Sequence, residues 1–182
     1  MTTLLIIGCV LLLILGLLLM RYVSIYNKYQ EYIIRINEAE VEIDTILRKR
    51  FDLLNKSISI IKGTTDTEED VLGLIVKLRS RKLTNFELDR QLYEAINEFN
   101  GYKDKYPALK DSDNFIKIEL GLNESEAEII ACRKYYNDII TDYNRLLKTF
   151  PNNIVARFSK FKERTYFDGR DRNDDILNDF KL

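Results

Sequence analysis

Between Phe115 and Phe150, steps alternating three and four residues land on Phe115, Ile118, Leu122, Ser125, Ile129, Cys132, Tyr136, Ile139, Tyr143, Leu146 and Phe150. All but Ser125 are apolar or aromatic. A strand would alternate every two residues; a repeat near 3.5 sustained over five heptads specifies a long helix lining a left-handed supercoiled bundle. Asp111 or Asp113 can cap its start, and Pro151 ends it.

A second seam follows the same steps through Tyr22, Tyr26, Tyr29, Ile33, Ile36, Ile43, Leu47, Leu54 and Ile61, broken at Glu40, Arg50 and Ser57. Thr64 to Glu69 reads as a turn, with Thr67 as a cap and Glu68, Glu69 and Asp70 at the positive end of the next helix. That helix carries Val71, Leu72, Ile75 and Leu78. It meets an irregularity at residues 79–85, with Thr84 or Asn85 as a fresh cap. It then continues through Phe86, Leu92, Ile96 and Phe99 to Pro107. Seven Gly and two Pro in 182 residues leave few breaks, so three spans of similar length are expected to fold antiparallel, up-down-up. A short fourth helix fits Asn153 to Lys162, where Ile154, Val155, Phe158 and Phe161 cluster. Asp168 to Leu182, with five Asp and three basic residues, reads as a frayed tail.

Leu4 to Met20 is an uncharged run of 17 residues, nine of them Leu. As a helix it is about 25 Å long, and Tyr22 with the stem of Arg21 makes up the rest of a roughly 30 Å hydrocarbon core. A cleaved secretory signal would need a basic leader, which Met1-Thr2-Thr3 does not supply. Ile6-Ile7-Gly8-Cys9 resembles a lipoprotein box only faintly, because eleven more apolar or Gly residues follow Cys9. The reading is an uncleaved single-pass anchor over residues 1–20. Arg21, Lys28 and Arg35 follow it with no basic residue before it. This asymmetry puts the short N-terminus outside and the domain, residues 21–167, in the cytoplasm at the cell membrane.

Lys plus Arg is 28 and Asp plus Glu is 29, a net charge of −1 that argues against nucleic acid as a partner. Histidine is absent, which excludes Ser-His-Asp and Cys-His catalysis and His-ligated metals. The glycines are too scattered for a phosphate loop. No cofactor and no enzymatic activity are expected.

The densest charge cluster is Asp44, Arg48, Lys49, Arg50 and Asp52. Successive helical residues point about 100° apart, so the three basic groups cannot form one patch. Asp44 and Arg48 suit an i,i+4 pair. Arg50 falls on the seam and calls for a carboxylate from another helix, with Glu119, Glu124 and Glu126 as candidates. Tyr136-Asn137 and Tyr143-Asn144 repeat seven residues apart, each Tyr on the seam and each Asn beside it. Interhelical hydrogen bonding explains them, with a polar ligand groove as the alternative. Tyr22 and Tyr26 suit the bilayer interface; Tyr29 and Tyr32 suit bundle contacts. Cys9 and Cys132 cannot readily pair and read as small apolar residues.

These residues resemble the LemA family of bacterial membrane-anchored helical proteins. After the anchor come Tyr26-Asn27, Ala39, Ile43-Asp44, Leu47-Arg48-Lys49-Arg50, Asp52-Leu53 and Lys62-Gly63. The middle match is mainly Leu78-Arg79, and resemblance resumes at Tyr106-Pro107-Ala108-Leu109-Lys110 and Asn114-Phe115. It runs on through Glu126, Arg133, Tyr136-Asn137, Tyr143-Asn144, Phe150-Pro151, Ala156, Phe158, Phe161 and Tyr166-Phe167. Asn55-Lys56-Ser57 and Ala127 depart from the family pattern. The resemblance implies a four-helix, single-pass membrane protein and no particular activity.

The expected fold is therefore all-α, an N-terminal transmembrane helix continuing into an elongated antiparallel bundle of three or four helices. The expected work is non-enzymatic interaction or scaffolding with a protein partner at the membrane. The alternative is a lipid-binding bundle that organises the membrane, although residues 21–62 carry a net charge of only +2. Self-association stays open.

Overall fold

The computed structural model describes residues 1–65, 71–78 and 83–167, and every regular element among them is helical. Helix α1 spans Thr2–Thr65, α2 Gly73–Leu78, α3 Asn85–Lys105, α4 Asp113–Lys148 and α5 Asn152–Ser159; a 3-10 turn, Pro107–Asp111, links α3 to α4. The protein is all-α. The expected Thr67 cap and the expected tail at 168–182 lie outside the described residues. The most apolar 18-residue window of α1 has a mean hydropathy of 3.0, and none of it is buried against the rest of the chain. By length and composition this helix can cross a membrane.

Contacts divide the chain into two compact units, one built from residues 1–38 and 137–166, the other from 39–136 with Phe167. In the second, α1 and α4 run antiparallel: Glu40 meets Tyr136, Lys49 meets Glu128 and Leu53 lies against Gly121. A Cβ on Gly121 would sit 3.2 Å from Leu53 Cδ1, so the small residue lets the two helices approach. Helix α3 is antiparallel to α4, with Asp89 paired to Arg133, Phe99 stacked on Phe115 at 4.5 Å and Lys103 paired to Glu119.

The middle span differs from the up-down-up expectation. The Leu72 N–H donates to Glu98 and to the Tyr102 hydroxyl, so α2 starts beside the end of α3. The chain then returns to Thr84 before α3 runs out again, parallel to α1. Residues 71–78 and 85–105 are thus two helices on a reversing path. Leu72 adopts φ 50°, a conformation uncommon for a residue with a branched side chain, while its side chain is fully buried. The new start is the expected Thr84 cap: its hydroxyl accepts from the Glu87 N–H while the Glu87 carboxylate accepts from the Thr84 N–H. These bonds hold the Glu87 carboxyl below its usual range.

In the first unit, α1 packs against the end of α4 and against α5. Tyr29 is fully buried, and its hydroxyl donates to the carbonyls of Leu146 (3.0 Å) and Asn152 (3.2 Å). Tyr143 meets it edge-on at 6.0 Å, and Phe161 stacks on it at 4.7 Å. Lys160, at φ 58°, ends α5 in the left-handed conformation and turns the chain back. The Asn144 amide then clamps the returning strand, donating to the Arg164 carbonyl at 2.8 Å and accepting from its N–H at 3.0 Å.

Along α4 nine of the eleven seam positions are buried; Cys132 is half-buried, and Phe150 is exposed because the helix stops at Lys148. Along α1 the seam is as expected from Ile43 to Ile61. Nearer the N-terminus Tyr29 and Ile36 are buried as expected and Ile33 is half-buried, whereas Tyr22 and Tyr26 are exposed and Ile25 is buried instead; at the Glu40 break, Ala39 faces inward.

Burial pushes the Tyr29 hydroxyl from 10.0 up to about 12, with Tyr143 adding to the effect. A raised folded-state pKa means that the folded chain keeps a proton that the unfolded chain releases. Stability therefore falls as pH climbs from about 10 to about 12. Tyr29→Phe is expected to cost about 1–3 kcal/mol at neutral pH, because two carbonyls lose their donor. The gap to the parent protein should narrow between pH 10 and 12. Denaturant unfolding of both proteins across that range checks it; a gap that widens would refute the assignment.

Candidate functional site

The α1 cluster splits three ways, as the helical angle requires. Arg48 points outward and its Nε donates to Asp44 at 2.7 Å. Lys49 reaches Glu128 on α4 at 3.2 Å, with both side chains half-exposed. Arg50 turns inward and is only 1% exposed. Asp52 lies on the solvent side.

Of the three carboxylates offered for Arg50, the structure selects Glu126, which accepts from Arg50 Nη2. Glu119 is engaged by Lys103, and Glu124 is exposed. A fourth carboxylate, missed by the sequence reading, completes the site: Asp89 of α3 is buried, with Oδ1 3.7 Å from Arg50 Nη1. Its other oxygen pairs with Arg133 of α4, whose guanidinium lies over the Phe167 ring at 5.5 Å. Asp89 falls three positions before Leu92 on the face that continues to Phe99, so the seam of α3 was the available signal.

Two cations and two anions from three helices thus form a formally neutral tetrad, with Arg50 and Asp89 buried at its centre and Glu126 and Arg133 half-exposed at its rim. Desolvation raises the Asp89 carboxyl above its usual value, and Arg133 and then Arg50 pull against that without cancelling it. Among the described residues Arg50 Nε and Nη1, Asp89 Oδ1 and Arg133 Nε make no hydrogen bond. The arrangement holds charge; of its orphaned donors, Arg50 Nη1 faces Asp89 Oδ1 at 3.7 Å.

The Tyr-Asn repeats do not join this site. The Tyr136 hydroxyl donates to Glu40 at 3.3 Å, and its ring meets Phe167 edge-on. Tyr143 is buried against Tyr29, which pushes its hydroxyl up. Asn144 is the backbone clamp described above, and Asn137 is half-buried, its carbonyl accepting from the Thr141 hydroxyl at 2.9 Å. Cys132 is a free, half-buried thiol raised by burial and by Glu42 and Glu128.

The sequence model of the LemA family matches residues 39–178, which spans the tetrad and both Tyr-Asn repeats. The chain is also similar to Protein LemA of Metamycoplasma hominis, 28% identical over 150 residues, covering 78% of this chain and 68% of that protein.

Removing one partner of a buried ion pair leaves an uncompensated charge, so Arg50→Met is expected to destabilise the protein by about 3–5 kcal/mol. Adding Asp89→Asn should recover part of that loss. Arg48→Ala, at the exposed pair, should cost under about 0.5 kcal/mol. Urea unfolding followed by circular dichroism measures all three; equal costs for Arg48→Ala and Arg50→Met would refute the assignment.

Proposed function

Given that the chain belongs to the LemA family, we propose that it is a single-pass membrane protein whose helical domain is a non-enzymatic interaction module in the cytoplasm. The observation that carries this reading is the continuity of α1. One helix runs from an unburied apolar stretch into a folded domain, where Arg50 of its charge cluster is paired inside and the rest of the cluster faces outward. Arg21, Lys28 and Arg35, just past the stretch, favour retention of that side in the cytoplasm. The partner-facing groups are Arg48 and Asp52, exposed on the α1 motif, with the half-exposed Asp44 and the Lys49–Glu128 pair.

Two measurements on the full chain test the two halves of the proposal. External protease on intact cells should leave residues beyond Arg21 uncut; digestion without lysis would overturn the orientation. Photo-crosslinkers placed at positions 44, 48 and 52 should capture one reproducible protein, and capture should drop several-fold with Lys49→Glu. Absence of any specific adduct from all three positions would overturn the interaction reading.

A further inference from the structure

Helix α5 and the turn before it carry exposed apolar side chains, and at the end of the helix the exposed one is Phe158. Phe158 is 78% exposed, Ile154, four residues earlier on the same helical face, is 47% exposed, and Phe150, in the turn before the helix, is 79% exposed. Burying a phenyl ring stabilises by about 1.5–3 kcal/mol, so leaving two of them in water is a loss the rest of the fold does not repeat for Phe. Only Phe86, at 38%, is otherwise exposed among the described Phe residues.

Two hydrogen bonds fix where this end lies. The Tyr29 hydroxyl donates to Asn152 at the start of α5, and the Tyr22 hydroxyl meets Ser159 Oγ at 2.9 Å at its end. From Asn152 to Ser159 and from Tyr29 back to Tyr22 are both seven residues, about 10 Å of helix, so α5 runs antiparallel to α1. Tyr22 stands two residues, about 3 Å of rise, beyond Met20, the last residue of the apolar stretch. The Tyr22 side chain leans toward the N-terminus of α1, so its hydroxyl draws Ser159, the residue after Phe158, toward that stretch. Phe158 therefore sits at the level where α1 changes from apolar to polar.

The charges on this segment have one sign. Between Phe150 and Lys162 there is no acidic residue, while Arg157, Lys160 and Lys162 are all exposed, with Arg21 exposed on α1. The next carboxylate along the chain, Glu163, is paired with Lys148 at 2.8 Å. The turn is also built rather than loose: Lys160 donates to the Ala156 and Arg157 carbonyls, and Phe161 folds back onto the Tyr29 ring. An aromatic ring in a basic collar at the mouth of an apolar helix matches the chemistry of an anionic lipid interface.

We propose that the α5 tip, Arg157 to Lys162, docks on the anionic phospholipid surface of the bilayer that holds α1, with Phe158 entering the boundary between headgroups and acyl chains and Arg157, Lys160 and Lys162 meeting lipid phosphates. This rests on the anchored reading above and adds a second, reversible attachment to it.

The chain contains no Trp, so single indoles report position without background. Full-length Phe158→Trp, Leu12→Trp and Ile34→Trp proteins are reconstituted in phosphatidylcholine vesicles with and without phosphatidylglycerol, carrying nitroxide-labelled lipids. Ile34 is exposed on α1 about 21 Å past Met20 and serves as the water reference. In phosphatidylglycerol vesicles the Phe158→Trp emission should shift to the blue and be quenched several-fold more than Ile34→Trp. High salt, or Arg157→Gln with Lys160→Gln and Lys162→Gln, should bring it down to the phosphatidylcholine level without changing Leu12→Trp. Quenching of Leu12→Trp with Phe158→Trp matching Ile34→Trp would overturn the tip contact and leave the anchor standing. Quenching of Phe158→Trp alone would keep the contact and overturn the anchor; quenching of neither overturns both. Circular dichroism confirms that each variant stays helical.

Discussion

A guanidinium cannot be taken out of water inside a helical bundle unless its charge is met there, and Arg50 is only 1% exposed. That requirement recruits a carboxylate from α3 and one from α4, and Asp89 in turn recruits Arg133. The resulting neutrality matters more than any pairwise strength. A purely apolar seam repeating every seven residues would discriminate weakly against a slip of one heptad, because one apolar side chain would take the place of another. The tetrad is not indifferent. Moving α4 by one heptad replaces Glu126 either by Arg133, a like charge, or by Glu119, which would then abandon Lys103. Register is thus chosen by the cost of the wrong alternatives, with hydrophobic burial supplying the driving force.

The unit containing Tyr29 solves the same problem without charge. Its central polar group is a phenol hydroxyl shared by two carbonyls, one at the end of α4 and one at the start of α5, so the bond spans the break where Pro151 stands. Asn144 does the corresponding work for the returning strand, using both halves of its amide on one peptide unit. Side chain to backbone bonding suits this region because the chain changes direction there and exposes main-chain groups that a helix would have satisfied internally.

How far the sequence disclosed this follows from the kind of signal each feature leaves. The α4 seam was readable because one helix keeps one face inward for nine of eleven positions. The start of the α1 seam was legible at Tyr29 and Ile36 but one residue off at Tyr26: strict three-four steps drift against 3.6 residues per turn, so Ile25 faces inward there, and Ala39 does so beside the break at Glu40. The reversal between α2 and α3 contains neither Gly nor Pro after Gly73, and only the Thr84 capping box marked it. That Arg50 needed a carboxylate was legible from its place on the seam. Which one was not, because the choice depends on helix register and on a route for α3 that periodicity alone does not give. Asp89 was hidden for the same reason.

The distribution of unmatched groups now separates two kinds of polar residue. Inside, cations and anions are counted out in equal number and fixed in place, which makes the family-matched Arg50, Glu126 and Arg133 elements of the fold. Outside, Arg157, Lys160 and Lys162 have no acidic residue among them, and the Phe158 ring beside them is left in water. Solubility alone would favour the reverse, mixed charges and a covered ring. A surface that keeps single-sign charge beside an exposed aromatic ring, at the level where an apolar helix ends, is matched by a medium that is anionic on one side and oily on the other. The physical reason for the α5 tip therefore lies in its surroundings, whereas the reason for the tetrad lies in the chain itself.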